Sequence, residues 1–222
     1  MKKTQAPSSP LQDLNLLEDY FLEGFARERG DLPSLAAPVE KQLQELAGQI
    51  SRCVRCGLHT ARTRTVPGEG AVAPLVLVIG EGPGEEEDRS GRPFVGRAGQ
   101  YLDKWLQAID LARGRNCFIA NIVKCRPPGN RDPSPEESAA CLPYLARQID
   151  CLRPRALLCL GRISAQVLLG SSAGIGSLRG RVHAYRDIPL VPTYHPSAVL
   201  RDSSLRQAVW DDLKLLRTRF AP

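Results

Sequence analysis

The 222-residue sequence contains no uninterrupted apolar run of about 18 residues, so no membrane span is predicted. The basic start at Met1–Lys3 is not followed by the apolar segment of a secretory signal, and we therefore expect a cytoplasmic protein with no membrane partner. Acidic residues are the minority charge, with 24 Asp and Glu against 30 Lys and Arg. The net charge of +6 is compatible with a nucleic-acid partner, and equally with an ordinary basic surface.

An odd count of seven cysteines, in a chain without a predicted export signal, argues against a disulfide framework. Cys53 and Cys56 form a C-x2-C pair, and Cys125 and Cys141 follow later in the chain. Such thiolates bind metal readily, and four of them suit either zinc or an iron–sulfur cluster, which spacing does not separate. The other cysteines lie within apolar runs and are predicted to be buried and inert: Cys117, Cys151 and Cys159.

The first 40 residues differ in character from the rest of the chain. Apolar residues at helical spacing between Leu14 and Phe25 predict a short amphipathic helix, and Gly30, Pro33 and Pro38 predict a linker behind it. The helix either binds a protein partner or packs back on the domain. We therefore predict an N-terminal extension over 1–40 and one domain over 41–222, in a monomeric protein.

Four apolar runs rich in branched residues predict strands, at 75–79, 117–123, 156–160 and 189–194. Helical patterns precede, separate or follow them, at 39–50, 98–111, 135–151, 162–169 and 204–218. This alternation predicts an α/β fold with a mainly parallel sheet covered on both faces. Functional residues are then expected at the carboxyl edge of the strands.

A glycine-rich turn, Gly80–Asp88, follows the first predicted strand. It departs from the dinucleotide pattern G-x-G-x-x-G because Glu85 stands at the third glycine and further acids follow. These acids would repel a pyrophosphate, and no Walker lysine is present. The glycines and Pro83 instead suit close approach of the backbone to a flat, uncharged ligand, although a capped tight turn would also explain them.

Three more residues are candidates for the same edge of the sheet. Asn121 ends an apolar strand, where its amide either makes a structural bond or reads the donors and acceptors of a base. His195 follows the last predicted strand and precedes a helix start. Phe94 stands between Pro93 and Val95 in a glycine-flanked loop, which favours stacking on a ligand.

Together, four stretches in this order resemble the family-4 uracil-DNA glycosylases: Gly80–Asp88, Gly91–Gly96, Asn121–Pro128 and His195–Ser197. The resemblance covers residues 42–220 and leaves the N-terminal extension outside it. It implies a three-layer α/β/α sandwich with a four-stranded parallel sheet. It also implies hydrolysis of the N-glycosidic bond of deoxyuridine in single- or double-stranded DNA, leaving an abasic site.

The resemblance further implies a 4Fe-4S cluster on Cys53, Cys56, Cys125 and Cys141. A related branch carries a histidine in an insert after the second strand, which this chain lacks, so simple turnover is expected. Gly82 stands where better-known uracil glycosylases have a water-activating Asp, which leaves the general base open.

From these motifs, the catalytic residues are predicted to be Glu81, Asn121 and His195. Base contacts are predicted, besides Asn121 and His195, for Gly82, Pro83, Glu87 and Phe94. DNA contacts are predicted for Lys124, Arg126, Leu200 and Arg201. Two other functions stay open: a non-catalytic metal-cluster module that binds nucleic acid beside a polymerase, and a glycosylase of the same fold for another deaminated base.

Overall fold

A computed structural model of the protein describes residues 36–220, which form a sheet with helices on both faces. The predicted N-terminal helix and most of the predicted extension lie outside the described residues. The strands are β1 (Glu69–Gly70), β2 (Val76–Gly80), β3 (Cys117–Asn121), β4 (Ala156–Leu160), β5 (His183–Tyr185) and β6 (Ile188–Thr193). The α-helices are α1 (Ala36–Ser51), α2 (Glu85–Ser90), α3 (Arg97–Ala108), α4 (Pro135–Leu152), α5 (Arg162–Leu169), α6 (Ile175–Leu178), α7 (Pro196–Arg201) and α8 (Arg206–Phe220).

The sheet has the order β1-β3-β2-β4-β6-β5. Its four central strands pair in parallel and coincide with the four predicted runs, so this part of the prediction is confirmed. The two outer strands, β1 and β5, pair antiparallel and were not predicted. Each has only two or three residues, which is too short to show a period in the sequence.

Strand β2 explains why the central strands are apolar throughout. All five of its residues are buried. Val76 and Val78 pack into the core on one face of the sheet, which includes Leu102 of α3. Leu77 and Ile79 face the opposite core, with residues of α4. Alternating side chains thus fill two separate cores, and a continuous apolar run is the sequence signature of such a strand.

The predicted helices agree with α1, α3, α4, α5 and α8 to within a few residues at their ends. Helix α4 begins where predicted because Ser134 caps it and Glu137 completes a capping box. Helices α2, α6 and α7, which have four to six residues, were too short to predict from periodicity. Among the described residues, no helix is both long enough and apolar enough to cross a membrane.

Candidate active site

A cleft of about 540 Å³ opens at the carboxyl edge of the parallel strands. The register places Gly80, the last residue of β2, directly beside Asn121, the last residue of β3. The loops after β2, β3, β4 and β6 all contribute to its walls, as expected for an open parallel sheet. Most of the predicted site residues line this one cleft: Glu81, Gly82, Pro83, Glu87, Phe94, Asn121, His195 and Arg201.

Asn121 presents an unused hydrogen-bond acceptor at the cleft. The residue is 1% exposed, and its Oδ1 is the one buried side-chain polar atom without a hydrogen-bond partner within residues 36–220. Leaving a buried acceptor without a hydrogen bond costs about 1–3 kcal/mol of free energy. A ligand that donates a hydrogen bond to Oδ1 would recover this free energy. Gly80 makes room for the amide, because a Cβ there would lie 2.4 Å from Asn121 Oδ1 and 2.6 Å from Phe94 Cζ.

Gly82 has little room for a side chain, because Val123 packs close to it. A Cβ at Gly82 would lie 2.8 Å from Cγ2 of Val123, so any side chain there requires Val123 to move. The aspartate that other uracil glycosylases carry at this position therefore does not fit this packing. A water-orienting group has to come from elsewhere in the cleft.

Phe94 lies against His195, with the two ring centroids 5.6 Å apart at an interplanar angle of 36°. Its backbone is left-handed, with φ of 52°, which costs a non-glycine residue about 1–3 kcal/mol. The adjoining loop is fixed by Glu87, whose Oε1 accepts from the amides of Val95 at 2.9 Å and Gly96 at 3.0 Å.

Glu87 lines the cleft as predicted, but its carboxylate is engaged on both oxygens. Besides the two loop amides on Oε1, its Oε2 accepts from the amide of Gly84, the N-cap residue of α2, at 3.1 Å. With three backbone amides bonded to its carboxylate, Glu87 has the role of holding the Phe94 loop against the start of α2. Sequence reasoning assigned it to the base and had no signal for these loop bonds.

His195 caps helix α7 with its own ring. Nδ1 accepts from the Ser197 amide at 3.2 Å and lies 2.8 Å from Ser197 Oγ. Because the amide can only donate, Nδ1 carries no proton and the neutral ring holds its proton on Nε2. Burial, followed by the charge of Arg201, lowers the pKa of His195 to about 4. The ring is therefore neutral near pH 7, which the sequence left open.

Glu81 lies beside Asp132, a cleft residue that sequence reasoning missed. Burial, and then the negative charge of Asp132, raises the pKa of Glu81 to about 7, and the nearby Arg162 opposes the shift. Arg162 pairs with Asp132 and also donates to Gln166 at 3.1 Å. Arg162 directly follows the loop glycine of β4, so the sheet-edge rule could have found it, whereas Asp132 lies in an irregular loop without such a signal.

The prediction that Lys124 contacts DNA is wrong. The residue is 1% exposed, and its Nζ donates to the Asn121 carbonyl at 2.8 Å and to Gln148 Oε1 at 2.7 Å. Burial lowers its pKa to about 8. The side chain points into the protein toward Gln148 of α4, so it is not on the surface, where phosphates would approach.

The other three predicted DNA residues retain surface access. Arg201 lines the cleft, and the neighbouring Leu200 is 45% exposed. Arg126 is partly exposed and donates to Asn130 Oδ1 at 2.8 Å and to Glu85 Oε2 at 3.4 Å. Their contact with DNA stays a prediction.

The four predicted ligand cysteines line a second, smaller cavity, with Arg62 and Tyr144 beside them. Two of the sulfurs accept hydrogen bonds: Cys125 Sγ from Arg62 Nη1 and Cys141 Sγ from the Lys124 amide, both at 3.3 Å. Burial raises the pKa of Cys141 to about 11. Within residues 36–220, no three His, Cys, Asp or Glu side chains converge closely enough for a single metal ion.

The remaining cysteines follow the prediction with one exception. Cys117 and Cys159 are fully buried in β3 and β4. Cys151 is only half-buried, and its sulfur lies 3.1 Å from Gln42 Oε1. The apolar run around Cys151 belongs to helix α4, whose outer face is partly open to solvent, so burial does not extend to this residue.

A model of the uracil DNA glycosylase superfamily matches residues 67–214. The chain is 46% identical over 181 residues to a type-4 uracil-DNA glycosylase of Pyrobaculum aerophilum, covering 78% of this chain and 92% of that protein. The type-4 protein of Thermotoga maritima is 40% identical, with 79% and 93% covered. That of Archaeoglobus fulgidus is 38% identical, with 78% and 91% covered.

Proposed function

This chain belongs to the uracil-DNA glycosylase superfamily, in its type-4 branch, and we propose that it excises uracil from DNA by hydrolysing the N-glycosidic bond. The product is an abasic site, as in the first step of base excision repair. The observation that carries the proposal is the unpartnered Oδ1 of Asn121 at the cleft floor, beside Phe94. Repair glycosylases flip the target base out of the duplex into such a pocket, at a cost of a few kcal/mol.

Uracil complements the Asn121 amide. The orphan Oδ1 accepts from the N3–H of uracil, and the amide nitrogen donates to O4. Cytosine presents the reverse pattern at both positions, so it would leave buried polar groups of the same kind unpaired. Phe94 supplies a flat apolar surface on which the flipped ring stacks, since bases stack readily on aromatic side chains.

His195 stabilises the leaving group. Negative charge grows on O2 of uracil as the glycosidic bond breaks, and a hydrogen-bond donor fixed before the reaction lowers the energy of that state. The Ser197 amide on Nδ1 leaves the Nε2 proton as the donor of the neutral ring. With a pKa of about 4, the ring acts as a neutral donor and leaves uracil as its anion.

Glu81 orients the attacking water or stabilises the positive charge on the sugar. Both roles need the carboxylate form. Asp132 raises the pKa of Glu81, and Arg162 lowers it. No lysine lines the cleft in the part of the chain that the structure describes, and Lys124 Nζ is engaged below it. This supports hydrolysis by water without an imine intermediate, and hence a monofunctional glycosylase.

Cys53, Cys56, Cys125 and Cys141 would hold a 4Fe-4S cluster. The four thiols surround one cavity, and two of them receive hydrogen bonds that favour thiolates. Four thiolates suit either zinc or an iron–sulfur cluster, and the resemblance to the type-4 glycosylases is what favours the cluster. When bound, the cluster supplies a cross-link between the segment before β1, the β3 loop and α4.

A panel of oligonucleotides tests the proposal. Each duplex or single strand carries one uracil, hypoxanthine, xanthine or thymine, and alkali cleaves the strand wherever an abasic site has formed. We expect the wild-type protein to excise uracil. Asn121→Ala should lose most of this activity, because the transition state loses about 2–4 kcal/mol of stabilisation. Wild-type protein without activity on uracil would overturn the proposed function. Wild-type rates in Asn121→Ala would remove this residue from base recognition.

A further inference from the structure

The strained backbone of Phe94 is held by a residue outside the cleft. We propose that Arg113 is a positioning residue that keeps the Phe94 ring in place for stacking on the flipped base, an inference that rests on the proposed function. Arg113 does not line the cleft. It lies in the segment between α3 and β3.

The guanidinium of Arg113 grips two consecutive carbonyl groups. Nη1 donates to the Pro93 carbonyl at 2.6 Å, and Nη2 donates to the Phe94 carbonyl at 2.7 Å. The second bond lies on the left-handed residue itself. A planar fork of this kind fixes the orientation of both peptide groups, which a lysine with a single ammonium group cannot do.

Arg113 is in turn fixed by two carboxylates. Its Nε pairs with Asp103 Oδ1 and its Nη1 with Glu69 Oε1, both at 3.0 Å. The Arg113 side chain is 18% exposed and that of Glu69 26%, so this pair is screened less by solvent than a fully exposed pair. Glu69 also pairs with Arg92, at 2.8 Å, in the loop just before Phe94. The loop is thus joined to helix α3 through Arg113, and to strand β1 through both Arg113 and Arg92.

Phe94 is closely packed at its backbone and at its ring. A Cβ at Gly99 would lie 1.8 Å from the Phe94 carbonyl oxygen, so the loop rests directly on the first turn of α3. At the other end, the ring contacts the backbone at Gly80, next to Asn121. Without Arg113 the Phe94 peptide can relax out of the left-handed region, and the ring then leaves the stacking position beside Asn121.

The test uses Arg113→Lys and Arg113→Met, each alone and combined with Phe94→Ala. Arg115→Met is the matched control, because Arg115 donates only to the exposed Asp110 carbonyl at 2.9 Å. Excision is measured under single turnover at saturating protein, and base flipping by the fluorescence of 2-aminopurine placed beside the uracil. Melting temperature and affinity for undamaged DNA are recorded for every variant.

We expect both Arg113 variants to lose about tenfold or more in maximal single-turnover rate and in the flipping signal, since stacking on one aromatic ring is worth about that much. Affinity for undamaged DNA stays within about twofold, because no phosphate contact is involved. In the Phe94→Ala background the same substitutions change the rate by less than about twofold, since residues that act through one another are not additive.

Equal losses with and without the Phe94 ring would overturn the inference, as would a wild-type rate in both folded variants. If Arg113→Met fails to fold, Arg113→Lys alone decides, because it keeps the charge and removes the fork. Wild-type protein that does not act on uracil would instead overturn the proposed function. A Phe94→Ala variant with a wild-type rate would overturn the stacking role of Phe94, and this inference with it.

Discussion

The cleft and the cysteine cavity lie at the two ends of the short segment from Asn121 to Cys125, yet they differ in whether their polar groups are hydrogen-bonded. Asn121 faces the cleft with an acceptor that no described residue satisfies. Four residues on, the Cys125 sulfur is already bonded by Arg62. Lys124, between them, ties both sides through the Asn121 carbonyl and the Cys141 sulfur. The unpaired acceptor of Asn121 suits a substrate that binds and leaves, whereas the hydrogen-bonded sulfurs suit a cofactor that stays bound.

This contrast predicts that changes at the cysteines act on stability and changes in the cleft act on rate. The largest effect is expected for Cys125→Ala. Wild-type protein purified without air should be brown and contain about four irons per chain. The variant should lose the iron and about 10 °C or more in melting temperature, because metal-binding free energy is also folding free energy. Iron analysis and calorimetry measure both.

Cys117→Ala is the control for that experiment. The thiol is fully buried in β3, and its removal should cost only about 1 kcal/mol and leave the iron in place. Colourless wild-type protein that carries one zinc ion per chain would refute the cluster, and so would a Cys125→Ala variant that keeps its iron.

In the cleft, His195→Ala should reduce the single-turnover rate about 10²- to 10³-fold, the usual effect of removing one fixed donor from a developing anion. The iron content and most of the DNA affinity should be kept, and the melting temperature should fall only by the few degrees expected for one lost helix cap. His183 serves as the control, because its Nε2 pairs with the Leu178 carbonyl and the residue does not line the cleft. A rate within about threefold of wild type would contradict the role of His195.

A smaller effect is expected from pH. The raised pKa of Glu81, about 7, means that its carboxylate fraction increases from about a tenth at pH 6 to about nine tenths at pH 8. The single-turnover rate should therefore rise up to about tenfold over this range. Since His195 titrates near pH 4, it adds no step there.

Two variants sharpen the pH experiment. Glu81→Gln should abolish the pH-dependent rise, and Asp132→Asn should move its midpoint to lower pH, because one negative neighbour is removed. A rise of unchanged size and midpoint in Glu81→Gln would assign it to another group and leave Glu81 without a catalytic role.

The smallest effect concerns the DNA surface. Arg201→Ala should reduce the slope of log affinity against log salt concentration by about 0.9 on duplex DNA, the value for one lost phosphate contact. Arg115→Ala, at an exposed site that does not line the cleft, should leave the slope unchanged. A slope that Arg201→Ala does not change would place the DNA path elsewhere.

The sequence predicted the central strands, the long helices and most of the cleft because each has a local signal. Apolar runs mark buried strands, and the polar residue after each run marks the functional edge. Lys124 shows where this reasoning stops: a basic residue in a loop looks exposed, and only the packing of α4 reveals that Gln148 meets its ammonium. Asp132 and Arg113 were missed for the same reason, since their partners are distant in sequence.

The two short outer strands have a consequence for the protein in solution. A parallel sheet with bare edges offers rows of free backbone groups that can recruit another chain and start aggregation. Here β3 is covered by two-residue β1, and β6 by three-residue β5. Gly70 is needed for this cover, because a Cβ there would lie 2.3 Å from the Cys117 carbonyl oxygen. Each outer strand is too short to template a long ladder of hydrogen bonds with another chain.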